Sequence, residues 1–304
     1  MKRPSLFLRE LGLVEEEKKT PKKKAAVKKA EKIVQSPQPL TNNTQKHSFS
    51  SLAKYNDCPL KYKFAFVLKV PARGSYHFSF GTSLHNTLYQ FLQLVQERRG
   101  AQQGDLFGQT AQKKQDGMPV TVDELLQMYE KNFIGDWYRN AKHREEYFAK
   151  GKKALADFYE KYQQIPVEHL ALEQRFTVKI AERVVRGSMD RIDAAGEKVH
   201  IIDYKTGSSK EKLEKEDKRQ LMLYATAAKD PHVLDKDVAK ITYYYLEDGS
   251  MLSLEPQAED YADITEWVGE TAEKIAVGDF TPTPGRVCRF CEYKDICDFA
   301  DRSA

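Results

Sequence analysis

The sequence predicts an α/β domain, a mixed central sheet flanked by helices, behind a basic N-terminal arm. Three observations carry that expectation. Amphipathic helical patterns dominate to about residue 163, strand periods begin at Ala171, and three of the four cysteines close the chain within VCRFCEYKDIC. With 304 residues, 40% of them hydrophobic, the chain has apolar material for one large core or two small ones.

Residues 1–46 hold 12 Lys/Arg against 5 Asp/Glu, leaving 37 against 40 in the remainder, so the net charge of +4 belongs to the arm. Eight lysines fall between Lys18 and Lys32, ahead of a Pro/Asn/Thr-rich stretch without hydrophobic periodicity. A disordered arm and linker is expected there, able to attract polyanions by counterion release. No run of about 18 apolar residues occurs, so no transmembrane helix is expected. The opening MKRPSLFLREL has too short an apolar stretch for a secretory signal, which points to the cytoplasm. In that reducing compartment cysteines favour metals over disulfides.

The domain is expected over 47–304. SFSSLAKYNDCPLKYKFAFVL offers capping serines, places Leu52, Tyr55 and Cys58 at helical spacing, and breaks at Pro59. GTSLHNTLYQFLQLVQERRG carries Leu84, Leu88, Phe91, Leu92 and Val95 on one stripe, with Gly100 as the stop. A polar loop and two aromatic-rich helices follow as a helical insert at about 101–165. LEQRFTVKI, RVVRGSMDRIDA and KVHIIDYKTG read as strands and KRQLMLYATAAKD as a helix. KITYYYLEDG with SMLSLEP forms a hairpin pattern, and 258–278 a last helix.

The second and third strands make a hairpin whose turn centres between Gly196 and Glu197, so facing residues sum to 393. Asp190 then lies opposite Asp203, with Cβ atoms about 5 Å apart. Like charges at that distance repel unless a cation lies between them. Lys205 shares the Asp203 face; Tyr204 points the other way, with its backbone carbonyl still in reach of a metal. Oxygen ligands favour Mg²⁺ or Mn²⁺, which lower the pKa of a bound water, and Lys205 could stabilise a phosphoryl transition state. Asp193 falls on the opposite face and is expected at a turn or the surface.

Other residues read blandly by themselves. A lone helical histidine such as His85 is ordinarily packed or exposed, and Glu173 reads as a strand-edge charge. Gln220 and Tyr224 share a helix face at i, i+4, where they could contact a phosphate backbone. Cys288, Cys291 and Cys297 follow C-x2-C-x5-C, and Cys58 lies about 230 residues upstream. Four thiolates suit a tetrahedral zinc or an iron–sulfur cluster, either of which would pin the two ends of the domain together.

HN in GTSLHNTLYQF, D in GSMDRID, DYK in IIDYKTG and Q-x3-Y in RQLMLY occur in the order seen in RecB-like PD-(D/E)XK nucleases. With CP in YNDCPLKYKF and the terminal cysteines, residues 48–300 resemble the iron–sulfur, AddB-like branch. The resemblance implies a restriction-endonuclease-like sheet and a Mg²⁺ or Mn²⁺ ion held by His85, Asp190, Asp203 and the Tyr204 carbonyl. It further implies a catalytic Lys205, supporting Gln220 and Tyr224, and Glu173 as a weaker addition. A 4Fe–4S cluster on Cys58, Cys288, Cys291 and Cys297 is implied too, with structural zinc as the alternative.

The expected function is a DNA exonuclease acting on single-stranded ends in repair or recombination. A nuclease of CRISPR adaptation and a non-catalytic DNA-binding subunit are the alternatives. A zinc-stapled interaction module would explain the cysteines and arm but not the carboxylate pair. No G-x4-GK[ST] occurs, so a helicase partner would be a separate chain.

Overall fold

The computed structural model describes residues 46–72, 74–103, 118–165 and 169–303. The basic arm, apart from Lys46, and residues 104–117 of the polar loop lie outside them.

Helix α1 (Phe49–Asp57) begins at a capping box: the Ser48 side chain accepts from the Ser51 amide, and Ser51 returns the bond to the Ser48 amide. Cys58 ends α1 and precedes α2 (Pro59–Tyr62), whose first position takes Pro59 because no donor is needed there. Helix α3 (Tyr76–Gln103) starts before the predicted GTSL and runs through Gly100. Nothing crowds Gly100, and one exposed helical glycine costs only about 1 kcal/mol relative to alanine, so it does not stop the helix. Thr121 and Glu124 cap α4 (Val122–Asn132), and Asn140 caps α5 (Ala141–Tyr162).

Five strands follow in the sheet order β1-β2-β3-β4-β5: β1 (His169–Ile180), β2 (Arg183–Ala195), β3 (Lys198–Lys205), β4 (Val238–Tyr245) and β5 (Met251–Leu254). Only β3 and β4 pair in parallel, joined through α6 (Lys215–Ala228), so the sheet is mixed. Helix α7 (Ala258–Ala276) then leads to a short 3-10 turn, Arg286–Phe290.

Each sheet face carries its own core. Helices α3, α4 and α5 pack with Ile202 and Tyr204, while α1, α6 and α7 pack with Met189, Ile192 and Ile201. The predicted stripe of α3 is wholly buried. Burying each such side chain stabilises by roughly 1.5–3 kcal/mol, which fixes the helix on the sheet. No helix among the described residues is long and apolar enough to cross a membrane.

The β2–β3 register is the one the sequence predicts. Arg191 faces Ile202 and Ala195 faces Lys198, around a turn where Gly196 has φ +65°. The ladder stops one pair short of Asp190 and Asp203. Between β1 and β2 the register shifts between His169 and Ala171 and is kept beyond, yet Glu173 and Asp190 are skipped between Leu172↔Arg191 and Gln174↔Met189. Glu173 has φ +48°, a left-handed backbone uncommon for a non-glycine. Side-chain phase changes across it: Ala171 and Phe176 face one core and Leu172 the other. The pair skipped in the ladder is thus made of two carboxylates, Glu173 and Asp190.

Candidate metal centre and cysteine pocket

His85 is carried on α3 one turn after Gly81, where an added Cβ would stand 3.3 Å from the Thr206 hydroxyl. The glycine lets the helix approach the end of β3. His85, Glu173 and Asp190 each offer a ligand atom, and these atoms lie within 4.8 Å of one another. His85 Nδ1 is 3.4 Å from Asp190 Oδ2, which accepts from the Tyr204 amide at 2.8 Å. Glu173 accepts from Ser188 Oγ at 3.1 Å. Burial opposes a charge on His85, but Asp190, with Asp203 and Glu173, outweighs it and raises the imidazole to about 9. Burial, then Asp190, raises Glu173. So strong a negative field invites a divalent cation, which would displace the proton.

Asp203 is only 5% exposed. Its Oδ1 accepts from Tyr224 Oη at 3.1 Å; Oδ2 lies 2.7 Å from Lys205 Nζ but receives no aligned hydrogen bond. Burial raises Asp203, Lys205 opposes the rise, and Asp190 adds to it. Asp203 lies outside the group of three but within the field of Asp190 and His85, and a buried carboxylate oxygen lacking a hydrogen bond there fits a cation. The donor set of oxygens and one imidazole suits Mg²⁺ or Mn²⁺.

Lys205 is aimed from several sides. Its ammonium donates to Gln220 Oε1 at 3.0 Å and sits 4.1 Å from the centre of the Tyr243 ring. Gln220 Nε2 donates to Tyr224 Oη at 2.9 Å, and Tyr243 Oη donates to Gln220 Oε1 at 2.6 Å. Asp203, Lys205, Gln220 and Tyr224 thus close a circuit. From sequence Gln220 and Tyr224 could contact a phosphate backbone, with a core tyrosine and an exposed glutamine as the commoner reading; in the structure their polar ends are committed to Lys205 and Asp203. The Tyr204 side chain enters the opposite core, as its strand position requires.

Asp193 corrects an expectation. It lies on the predicted face but is 4% exposed, neither turn nor surface. Arg191 Nε and Nη2 donate to its carboxylate at 2.6–3.0 Å, and His169 Nδ1 lies 2.6 Å away. Tyr162 Oη reaches the other His169 nitrogen at 2.5 Å, and Arg191 Nη1 donates to Tyr204 Oη at 3.2 Å. This buried chain braces the reverse side of the strands that carry Asp190 and Asp203. Its only sequence signal is Arg at i−2 from Asp193. Glu173 is the other residue underweighted from sequence, because its left-handed backbone has no glycine to announce it.

The cysteines converge as their spacing predicts. Cys58, Cys288, Cys291 and Cys297 line one cavity, walled also by Phe64 and Pro282. Lys54 and Lys61 of the N-terminal helices reach Glu292 at 2.5 and 3.7 Å, and Thr283 donates to the Asp57 carbonyl at 3.1 Å. All four thiols are free. Burial pushes Cys291 and Cys297 up, so a cation is needed to hold them as thiolates. Zn–S bonds of about 2.3 Å put tetrahedral sulfurs about 3.8 Å apart. Among the described residues no three of these sulfurs lie within 4.8 Å of one another.

Residues 46–298 match the sequence profile of the PD-(D/E)XK nuclease superfamily. The chain is similar to the gene 69 proteins of Mycobacterium phages D29 and L5, at 23% and 26% identity over 82% of this chain and 95% of each relative. Among solved structures it is similar to SSO0001 (TM-score 0.38, 14% identity, 90% of this chain and 95% of that one). It is also similar to a Eubacterium rectale protein described as a candidate exonuclease (TM-score 0.49, 11% identity, 83% and 88%).

Proposed function

Since the chain belongs to the PD-(D/E)XK nuclease superfamily, we propose that it is a divalent-metal-dependent DNA exonuclease acting on single-stranded ends in repair or recombination. The observation that carries this reading is the convergence of His85, Glu173 and Asp190 beside the Asp203–Lys205 pair. His85, Glu173, Asp190 and Asp203, with the Tyr204 carbonyl, would hold Mg²⁺ or Mn²⁺. That ion supplies a lowered water pKa and neutralises phosphoryl charge.

Lys205 orients the attacking water and stabilises charge on the phosphoryl oxygens as the new P–O bond forms and the bond to the leaving sugar oxygen breaks. Gln220, Tyr224 and Tyr243 hold that ammonium in place, so no reorientation is required during the reaction. The non-catalytic DNA-binding alternative has no use for a lysine so aimed.

The cysteine pocket takes a 4Fe–4S cluster in this reading. Its support is the sequence resemblance and the convergence of the four cysteines on one cavity. The role is structural, tying α1 to the C-terminal segment. The basic arm adds sequence-independent grip on DNA, and a separate helicase chain would supply single strands in the cytoplasm.

The test is degradation of end-labelled linear and circular single-stranded DNA by anaerobically purified protein, compared with Asp203→Asn. Linear strands degraded in Mg²⁺ or Mn²⁺, spared in EDTA and by the variant, with circles spared, are expected. Equal cleavage by the variant would overturn the assigned centre, and cleavage of circles the exonuclease reading.

A further inference from the structure

An open groove of about 660 Å³ leads to the metal centre between α3 and β1. Phe78, Thr82, His85, Asn86 and Tyr89 line one wall and share a helix face, at i, i+4, i+7, i+8 and i+11. Glu173, Arg175 and Asp190 line the other. Phe80, Leu84 and Leu88 of the same helix are buried, but Phe78 is 72% exposed. It belongs to no core, and its ring stands in the groove about 10 Å along the helix from His85, at 1.5 Å per residue.

Cations border that end of the groove, among them Lys150, which is also ion-paired with Glu247 at 2.8 Å. His77 lines it beside Phe78, and its charged form is disfavoured by burial first, then by His143, Arg139 and Lys150. The Arg139 guanidinium lies 6.0 Å from the centre of the Tyr76 ring, which in turn is 3.9 Å from His77. Cations bordering an exposed aromatic face, continuous with a phosphodiester-cleaving centre, form the combination that binds unpaired strands. Phosphates are held by charge, and bases stack without regard to sequence.

We propose that Phe78 is a base-stacking residue that selects single strands: an unpaired nucleobase lies on its ring while Arg175 and the Arg139–Lys150 collar hold flanking phosphates. This rests on the nuclease reading above and adds the feature that makes it prefer single strands. The stacked base lies about three nucleotides from the cleaved bond at a stacked rise of about 3.4 Å, and fewer where the strand is extended. Paired bases are already stacked on both sides, so a duplex offers this ring nothing without unstacking.

The test is fluorescence anisotropy of labelled 12-mers with the full-length protein, with Ca²⁺ replacing Mg²⁺ and probe integrity checked on a gel. Phe78→Ala is expected to weaken binding of an intact single strand about tenfold, within the range of base–aromatic stacking. Phe78→Trp restores it, and the melting temperature of both variants is unchanged because the ring is outside the core. A strand built of abasic residues binds wild type and Phe78→Ala equally. Equal affinity of wild type and Phe78→Ala for the intact strand overturns the proposal, as does an equal loss on abasic strands or on duplex. Wild-type protein that neither binds nor cleaves any polynucleotide overturns the nuclease reading itself. Binding with no effect at Phe78 overturns this proposal alone.

Discussion

Asp190, Asp203 and Lys205 are held by hydrogen bonds from the sheet and from α6, whereas the four cysteine sulfurs face their cavity from helix ends and turns. The first site is pre-organised: Asp190 Oδ2, Asp203 Oδ1 and Lys205 Nζ each have a hydrogen-bond partner before any ion arrives. The second has its walls in place, with burial raising the Cys291 and Cys297 thiols. On the proposed reading the fold builds one site to receive its ion, and the other needs its cluster to tie the chain ends. Removing the occupant should therefore cost activity at the first and stability at the second.

The largest expected effect is at the cysteines. Closing a loop of about 230 residues restrains the unfolded chain by about 5 kcal/mol. Cys291→Ser should lose iron and acid-labile sulfide and lower the melting temperature by about 10 °C, at a few degrees per kcal/mol. Asp190→Asn, which relieves repulsion at the other site, should leave the melting temperature near wild type. Zinc in place of iron in the purified protein would transfer the same argument to a zinc staple. Unchanged stability in Cys291→Ser would remove the contrast between the sites.

The brace beneath the acidic centre comes next. Asp193→Ala leaves Arg191 charged, 7% exposed and without its carboxylate, and breaking such a buried pair costs about 3–5 kcal/mol. Burial alone would raise Asp193, but His169 and Arg191 prevail and hold it below its ordinary value. With the folded value depressed, the stabilisation is present above the ordinary aspartate range, about 3.9, and disappears as pH falls through the folded value. Urea midpoints measured from pH 6 to pH 3 should fall in wild type and show a shallower acid limb in Asp193→Ala. Parallel limbs would mean that other carboxylates set the acid stability.

The contrast between the two sides of β2 also shows what sequence can reveal. The β2–β3 register was legible because Gly196 marks a two-residue turn that sets the cross-strand pairs, and strand alternation puts Asp203 and Lys205 on one face. The cysteine convergence was legible from spacing alone. Asp193 was not, because its partner His169 is 24 residues away and nothing local marks an aspartate as buried. Glu173 was not, because strand alternation assumes regular backbone and this residue breaks it at φ +48°. On the proposed reading, the rule fails at a metal-binding residue, where strained backbone tends to concentrate.

Lys205→Ala tests pre-organisation directly. Removing a positioned donor to a developing oxyanion costs about 10²–10³ in kcat. Melting temperature should hardly change, since Asp203, already raised by burial, can take up a proton when its counter-charge is lost, as Arg191 cannot. A comparable fall in stability would make Lys205 a structural ion pair instead.

Tyr224→Phe is the smallest and most discriminating change. The hydroxyl links Gln220 to Asp203 Oδ1 and touches nothing in the groove that leads to the metal. Its loss leaves Asp203 Oδ1 without that donor and frees Gln220, which aims Lys205. A hydrogen bond to a charged group contributes about 1.5–3 kcal/mol, so kcat should fall roughly tenfold or somewhat more. KM for the strand should stay the same, because the positioning acts on the catalytic pair and not on substrate. If Tyr224 instead contacts the phosphate backbone, as its helix face suggests from sequence, uniform binding is lost: KM rises and kcat holds. Steady-state kinetics on one linear oligonucleotide therefore decides whether α6 serves the acidic centre by touching DNA or by holding Lys205 and Asp203.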